Sequence, residues 1–171
     1  LNREGRAFCF LPLPVQTHLP VHVNAYFELS SNRRELWLGE DMRGEASQRA
    51  AWNRLVIQDA IVPAYLNLLI YAKSLVQRNG NTLEQRQTFL QLFPSLSPDR
   101  KDSGSSAGSQ NSSRVGASNI WSLVVNGFYS HIRDENVLFC ESLELTGRWI
   151  KPSEALLMDM ENRCAEELHQ I

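Results

Sequence analysis

The feature that most constrains the fold is a long helical pattern in the middle of the chain. Between Gln48 and Arg78, apolar residues recur every three to four positions, which is the spacing of one helix face. They are Trp52, Leu55, Val56, Ile61, Tyr65, Leu68, Leu69, Ala72 and Val76. Because many other positions are also apolar, the pattern predicts a helix that is buried on nearly all sides. Pro63 lies inside it and predicts a kink or a division into two helices.

Two strand-like patterns precede this helix. Phe8–Leu13 is almost entirely apolar and predicts a strand buried on both faces, or an edge strand, because Pro12 has no N–H to donate. Val21–Leu29 alternates between apolar and polar residues, which predicts a strand with one face on the core. The short loop between the two runs favours an antiparallel pair.

The remaining elements follow from local signals. Gly80 is suited to a helix C-terminus, and Thr82 with Gln85 predicts a capping box at the start of the next helix. Further along we expect a helix over residues 120–133, strands over 137–140 and 148–150, and a final helix after Pro152. This order predicts an α+β fold with a short mixed or antiparallel sheet packed on helices.

The domain organisation follows from length and from one polar segment. A chain of 171 residues with 43% hydrophobic content is enough for one ordinary core, so we expect a single α+β domain over residues 1–171. Residues 94–118 are rich in Ser and Gly and predict a flexible insertion within that domain, because they cannot bury enough apolar surface to offset the entropy of ordering. A domain boundary at this segment is the alternative. The chain reads as an excerpt from a larger protein.

Charge and motif content exclude several functions. The net charge of −2 gives no basic face for nucleic acid, and the apolar stretch Ala60–Ala72 is too short to span a bilayer. Neither a phosphate-binding glycine loop nor a metal-ligand spacing is present in the sequence. We therefore expect no nucleic acid partner, no membrane span, no cofactor in this chain and no enzyme activity of its own. Three scattered cysteines, Cys9, Cys140 and Cys164, indicate reduced core thiols and a cytoplasmic location.

One polar feature remains as a candidate site. Arg33 and Arg34 follow the second predicted strand at a Ser-Ser-Asn turn. Arginine keeps its charge and presents a planar fork of donors that suits phosphate, so a pair at a strand end is well placed to meet a polyphosphate on a neighbouring domain. The alternative is an exposed turn with two solvated arginines, paired with Glu35 or Asp41.

Several stretches resemble the internal repeats of the sacsin family, and together they cover most of the chain outside the polar segment. They are residues 5–14, 19–24, 27–37, 52–65 and 147–155. In that family each repeat opens with a nucleotide-binding domain of the GHKL class, which is also found in gyrase, histidine kinases, MutL and the large heat-shock chaperones. The resemblance implies that this chain follows such a domain as a middle or transducer segment of the ribosomal-S5-domain-2-like type.

The resemblance also implies a role for the arginine turn. In GHKL chaperones the middle segment sends a basic residue from a loop to the γ-phosphate on the preceding domain. Ser31–Glu35 is similar to that loop, with Arg33 where the family pattern has Ser. The implied nucleotide-sensing residues are Arg34, then Arg33 and Asn32, acting in cis on ATP with Mg²⁺ bound by the upstream domain.

The function implied is a non-catalytic transducer segment of a giant cytoplasmic co-chaperone. It would pack against the upstream ATPase-like domain and couple its nucleotide state to regulation of the DnaK-type heat-shock chaperone machinery, in a neuronal setting. The implied partners are the upstream domain, that machinery and its client proteins. The alternative is an interaction module that binds unfolded or cytoskeletal filament proteins without nucleotide coupling, for which an exposed apolar surface is expected.

Overall fold

The computed structural model describes residues 5–37, 43–95, 113–141 and 147–155. By chain contacts it has two compact units, Leu1–His131 and Ile132–Ile171. Helices and two small sheets make up the described residues, so the α+β class is confirmed. The assignment of residues 1–171 to a single domain stays a prediction.

The first unit opens with a three-stranded mixed sheet. Its strands are β1 (Arg6–Cys9), β2 (Leu11–Gln16) and β3 (Val23–Asn24), in the order β2-β1-β3. β1 pairs antiparallel with β2 and parallel with β3. A single strand over Phe8–Leu13, paired antiparallel with the next run, is therefore wrong. The chain reverses at Phe10, which has a φ of 61°, and no Gly or Asn marks this turn in the sequence.

The alternating segment that follows behaves largely as the sequence predicts. The β3 ladder is only two residues long, yet Val23 and Phe27 are buried while Tyr26 is exposed. The alternation of faces is therefore confirmed beyond the end of the hydrogen-bonded strand. Leu29 then forms an isolated antiparallel bridge with Leu36, which closes a short hairpin.

Gly5 is where three stretches of backbone meet. Its N–H donates to the Leu19 carbonyl at 2.9 Å, and its own carbonyl accepts from the Thr17 N–H at 3.0 Å. A Cβ placed on Gly5 would lie 2.1 Å from the Val21 carbonyl oxygen and 2.5 Å from that of Leu19. The contact distances leave no room for a side chain at this junction.

The long helical pattern forms one continuous helical stretch with an irregular centre. It consists of α1 (Glu45–Leu55), a π-helical segment (Val56–Ile61) and α2 (Val62–Arg78). Pro63 is near the start of α2 and has no N–H, and in an α-helix its ring would meet the carbonyl of Asp59. The Val62 N–H donates instead to the Ile57 carbonyl, five residues back, which is the hydrogen-bond spacing of a π-helix. The predicted interruption at Pro63 thus takes the form of a π-helical segment.

The long helix is not buried on nearly all sides, and that prediction is wrong. Large apolar side chains remain exposed along it: Trp52, Leu55, Leu68, Tyr71 and Leu75. The helix packs through one face, and none of the described residues covers the apolar side chains of the other face. By length and composition alone, Glu45–Arg78 could also cross a membrane, because an 18-residue window within it has a mean hydropathy of 1.5, and 28% of that window is buried. Core helices of soluble proteins meet the same criterion.

Two further helices complete the first unit. α3 spans Leu83–Leu90 and begins with the predicted capping box, in which Thr82 and Gln85 each bond the other's backbone. α4 spans Ser113–Ile132 and approaches α2 closely, because a Cβ on Gly127 would lie 2.9 Å from a Val62 methyl carbon. Tyr65 and Phe128 pack between the same two helices, with ring centroids 5.0 Å apart.

The predicted flexible insertion over residues 94–118 is described only at its ends. Pro94 is fully buried, and its carbonyl accepts from the Tyr129 hydroxyl at 2.7 Å. Residues 113–118 form the first turns of α4. Residues 96–112 lie outside the described residues, so the insertion stays a prediction there.

The second unit contains the two predicted short strands, β4 (Leu138–Cys140) and β5 (Arg148–Ile150), paired antiparallel. The rings of Phe139 and Trp149 pack edge to face across this pair. A short 3₁₀ turn over Pro152–Glu154 follows, and most of the predicted final helix lies outside the described residues.

Candidate functional site: an arginine turn on a clamped hairpin

The arginine pair lies on the tip of the hairpin closed by the Leu29–Leu36 bridge. The Ser30 N–H donates to the Glu35 carbonyl at 2.9 Å, and the Trp37 N–H donates to the Glu28 carbonyl at 3.1 Å. We call Glu28–Ser30 and Glu35–Trp37 the stalk, and Ser31–Arg34 the arginine turn. The turn predicted from the Ser-Ser-Asn sequence is confirmed.

Hydrogen bonds within the turn fix its backbone. The Asn32 side-chain oxygen accepts from the Ser30 hydroxyl at 2.6 Å and from the Arg34 N–H at 3.0 Å. The Arg33 N–H donates to the Ser30 carbonyl at 2.8 Å, and Arg33 adopts a left-handed φ of 54°. Asn32 therefore holds the turn through its oxygen, as asparagine does in tight turns. The structure brings together the three residues singled out from the sequence.

Both arginine side chains are exposed. Among the residues that the structure describes, neither guanidinium forms an ion pair, and this includes the neighbouring Glu35. Asp41, the other local carboxylate considered, lies outside the described residues. The turn therefore presents two cationic donor groups to solvent, next to each other in sequence on a fixed backbone.

A buried asparagine joins the stalk to helix α1. Asn53 is fully buried, and its side-chain oxygen accepts from the Glu28 N–H at 2.8 Å. Its side-chain nitrogen donates to the carbonyls of Glu28 at 2.8 Å and of Trp37 at 3.0 Å. The Asn53 amide thus makes hydrogen bonds to both sides of the stalk that a neighbouring strand would otherwise make. Sequence reasoning missed this residue, because an Asn in a helix ordinarily indicates a surface position.

Arg49 adds a second link, one turn earlier on α1. Its guanidinium lies 3.9 Å from the Glu28 carboxylate and 6.0 Å from the centroid of the Trp37 ring. It also bonds the Glu45 carboxylate, whose hydrogen bond raises the pKa of Arg49. These contacts are largely solvated, so their role is to orient the stalk, with little effect on stability.

Exposed apolar side chains form a second surface feature beside the sheet. Phe10 is 78% exposed at its strained turn, and its ring packs edge to face on Tyr26, with centroids 6.2 Å apart. The Trp52 indole N–H donates to the Tyr26 carbonyl at 2.9 Å, and Leu11 follows Phe10 at 66% exposure. We call Phe10, Leu11, Tyr26 and Trp52 the aromatic cluster.

Other sequence candidates for chemistry do not converge. Cys9 is buried and its thiol donates to the Phe27 carbonyl, whereas Cys140 is exposed, so its predicted core position is wrong. β4 is only partly covered, which leaves the Cys140 side chain outside. Cys164 lies outside the described residues. Within residues 5–37, 43–95, 113–141 and 147–155, no group of three His, Cys, Asp or Glu side chains is placed to hold a metal ion.

Comparison with known proteins gives one informative match. The chain is 48% identical to human sacsin over 72 residues. It carries a sacsin-like segment. The match covers 42% of this chain and 2% of the length of sacsin, so it identifies a local relationship within a very large relative. No protein-family model matches the chain, and no solved structure matches it.

Proposed function

We propose that this chain is a non-catalytic transducer segment of a sacsin-like co-chaperone, with the ribosomal-S5-domain-2-like arrangement that this role implies. In this proposal it packs against a GHKL-type ATPase-like domain earlier in the same cytoplasmic polypeptide. The arginine turn contacts the γ-phosphate of ATP, bound there with Mg²⁺. The chain passes the nucleotide state on to the chaperone machinery and its clients.

The observation that supports this role most strongly is the state of the arginine turn. Two adjacent guanidinium groups are exposed and lack ion-pair partners among the described residues, while the backbone beneath them is fixed. Because the backbone of the turn is already fixed, only the arginine side chains lose conformational entropy when they meet a phosphate oxygen. The Asn53 clamp gives the turn a rigid connection to α1, which a sensing loop needs if contact at its tip is to affect the rest of the chain.

The test is made on the parent polypeptide that contains both this chain and the preceding domain. Nucleotide affinity and ATP turnover are measured for the double variant Arg33→Ala/Arg34→Ala. We expect ATP affinity or turnover to fall about tenfold or more, as for loss of a charge-assisted contact. Arg43→Ala/Arg78→Ala removes the same charge at exposed positions elsewhere and should change neither quantity. An arginine-turn variant that behaves like this control would refute the proposal.

The aromatic cluster favours a second function, an interaction module for unfolded or filament proteins. A Phe at a positive φ costs the fold energy that a glycine at this turn would avoid, and exposed aromatic groups are typical anchors of protein interfaces. The test is binding of a fluorescent, permanently unfolded protein to this chain. Phe10→Ser/Leu11→Ser should weaken binding about tenfold, whereas Leu83→Ser, at a site on α3 with exposure similar to that of Leu11, should not. Absence of binding by the unaltered chain would eliminate this function.

A further inference from the structure

The helical stretch Glu45–Arg78 carries two apolar stripes, and the π-helical segment determines which of them is buried. In α1 and the π-helical segment, one series of buried residues follows regular three-to-four spacing: Ala50, Asn53, Ile57 and Ile61. Counted on from Ile57 at the 3.6 residues per turn of an α-helix, this series passes Ile61 and reaches Ala64, Leu68, Tyr71 and Leu75. All four of these positions are exposed.

The residues of α2 that are buried lie one position further along. They are Val62, Tyr65, Leu69 and Val76. A π-helical turn accommodates one extra residue, and one residue corresponds to a rotation of about 100° around an α-helix. The displacement of the buried stripe by one residue therefore has a direct cause in the Val56–Ile61 segment. The exposed stripe is the face that an uninterrupted α-helix would turn inward.

We propose that α2 has two packing registers, the one observed and a second in which Val56–Ile61 becomes α-helical and Ala64, Leu68, Tyr71 and Leu75 turn inward. Both stripes are apolar, so each can cover the core side of the helix. The observed register is held by Pro63, which lacks the N–H that the α form would use, and by the Tyr65 hydroxyl, which donates to the Leu92 carbonyl at 2.7 Å.

The switch would move the arginine turn. α1 is hydrogen-bonded to the stalk through Asn53, while α2 packs against α4 at Val62 and Gly127. A change of register between α1 and α2 changes how the stalk is positioned relative to α4. This proposal goes beyond the transducer role and does not depend on nucleotide, because its two states differ only in packing within the chain.

The test reads side-chain exposure by hydroxyl-radical footprinting and mass spectrometry. In the unaltered chain, Tyr71 and Leu68 should be modified rapidly and Tyr65 slowly. Pro63→Ala restores the N–H that the α register uses, so Tyr71 modification should fall and Tyr65 modification should rise, each by severalfold. The matched control adds deletion of Ala60, an exposed residue of the π-helical segment, to Pro63→Ala. The deletion removes the extra residue and should keep Tyr71 reactive and Tyr65 protected.

A second pair of variants tests the same idea through charge. In the Pro63→Ala background, Leu68→Glu should restore the footprint of the unaltered chain, since a carboxylate cannot be turned into the core. Gln77→Glu adds the same charge at another exposed position and should not restore it. A Pro63→Ala footprint identical to that of the unaltered chain would overturn the proposal.

A measurement on the unaltered chain covers the case in which Pro63→Ala does not fold. NMR relaxation dispersion should then detect microsecond-to-millisecond exchange at the amides of Val56–Ile61, and deletion of Ala60 should remove it. An unaltered chain without exchange in this segment would overturn the proposal as well.

Discussion

Replacing Asn53 provides the sharpest test of how the arginine turn is held. Asn53→Ala removes three hydrogen bonds, two to Glu28 and one to Trp37. Each contributes on the order of 1 kcal/mol net, so their loss costs about 3 kcal/mol. The Glu28 carbonyl keeps its bond from the Trp37 N–H, whereas the Glu28 N–H loses the one partner that the structure gives it. For a chain of this size, about 3 kcal/mol lowers Tm by roughly 6–12 °C.

The assay is guanidinium unfolding followed by tryptophan fluorescence, with a thermal scan by circular dichroism. Asn67→Ala is the matched control, because Asn67 is exposed on α2 and alanine is the better helix former. We expect that control to be neutral or slightly stabilising. A loss below about 1 kcal/mol for Asn53→Ala would show that the clamp does not stabilise the stalk and would refute the reasoning.

Asn53→Asp separates geometry from hydrogen-bond direction. The introduced carboxylate can accept from the Glu28 N–H but faces the carbonyls of Glu28 and Trp37 without a proton to donate. Burial beside these oxygens raises its folded-state pKa above the unfolded value. The stability of the Asn53→Asp variant relative to Asn53→Ala is therefore highest below the unfolded-state pKa of an aspartate, about 4. It falls as pH rises from there through the folded-state pKa. A variant whose relative stability is constant from pH 4 to 7 would contradict this assignment.

Three further predictions test the packing around the site. Thr82→Ala removes the capping box shared with Gln85 and should cost about 1 kcal/mol by urea unfolding, with Thr82→Ser close to the unaltered chain. Gly127→Val should destabilise by about 1–3 kcal/mol by the same measurement, because its Cβ would meet the Val62 side chain at 2.9 Å; unchanged stability would contradict the close helix approach. Burial raises the pKa of Tyr65, so folding should lose stability as pH rises above about 10, and Tyr65→Phe should reduce that loss in alkaline unfolding curves; equal slopes would contradict the assignment.

Much of the local structure was predictable because its determinants are close together in sequence. The capping box at Thr82 and the turn at Ser30–Arg34 depend on residues within a few positions, and both are confirmed. The reversal at Phe10 was not predictable, because its sequence lacks the residues that favour a positive φ. There the tertiary pairing of β1 with β2 overrides the local preference.

The candidate site likewise has one part that the sequence predicts and one part that it does not. The exposed arginines were identified from their position after an alternating strand, whereas the clamp beneath them was missed. Asn53 lies 25 residues from Glu28, and no spacing rule relates a helical asparagine to a hairpin so far away. Similarly, Pro63 indicated where the long helix is interrupted but not that the interruption would select between two apolar faces.

Gly5 gives a criterion for recognising this architecture in other chains. The carbonyl oxygens of Val21 and Leu19 and the hydroxyl oxygen of Thr17 lie where the Cβ of any other residue would be placed. The meeting of these backbone stretches therefore requires glycine at position 5. A relative with alanine or serine at the equivalent place must route its residues 17–21 differently. A glycine equivalent to Gly5 is thus a better guide to a shared backbone path than the large apolar positions, which tolerate volume-conserving exchange.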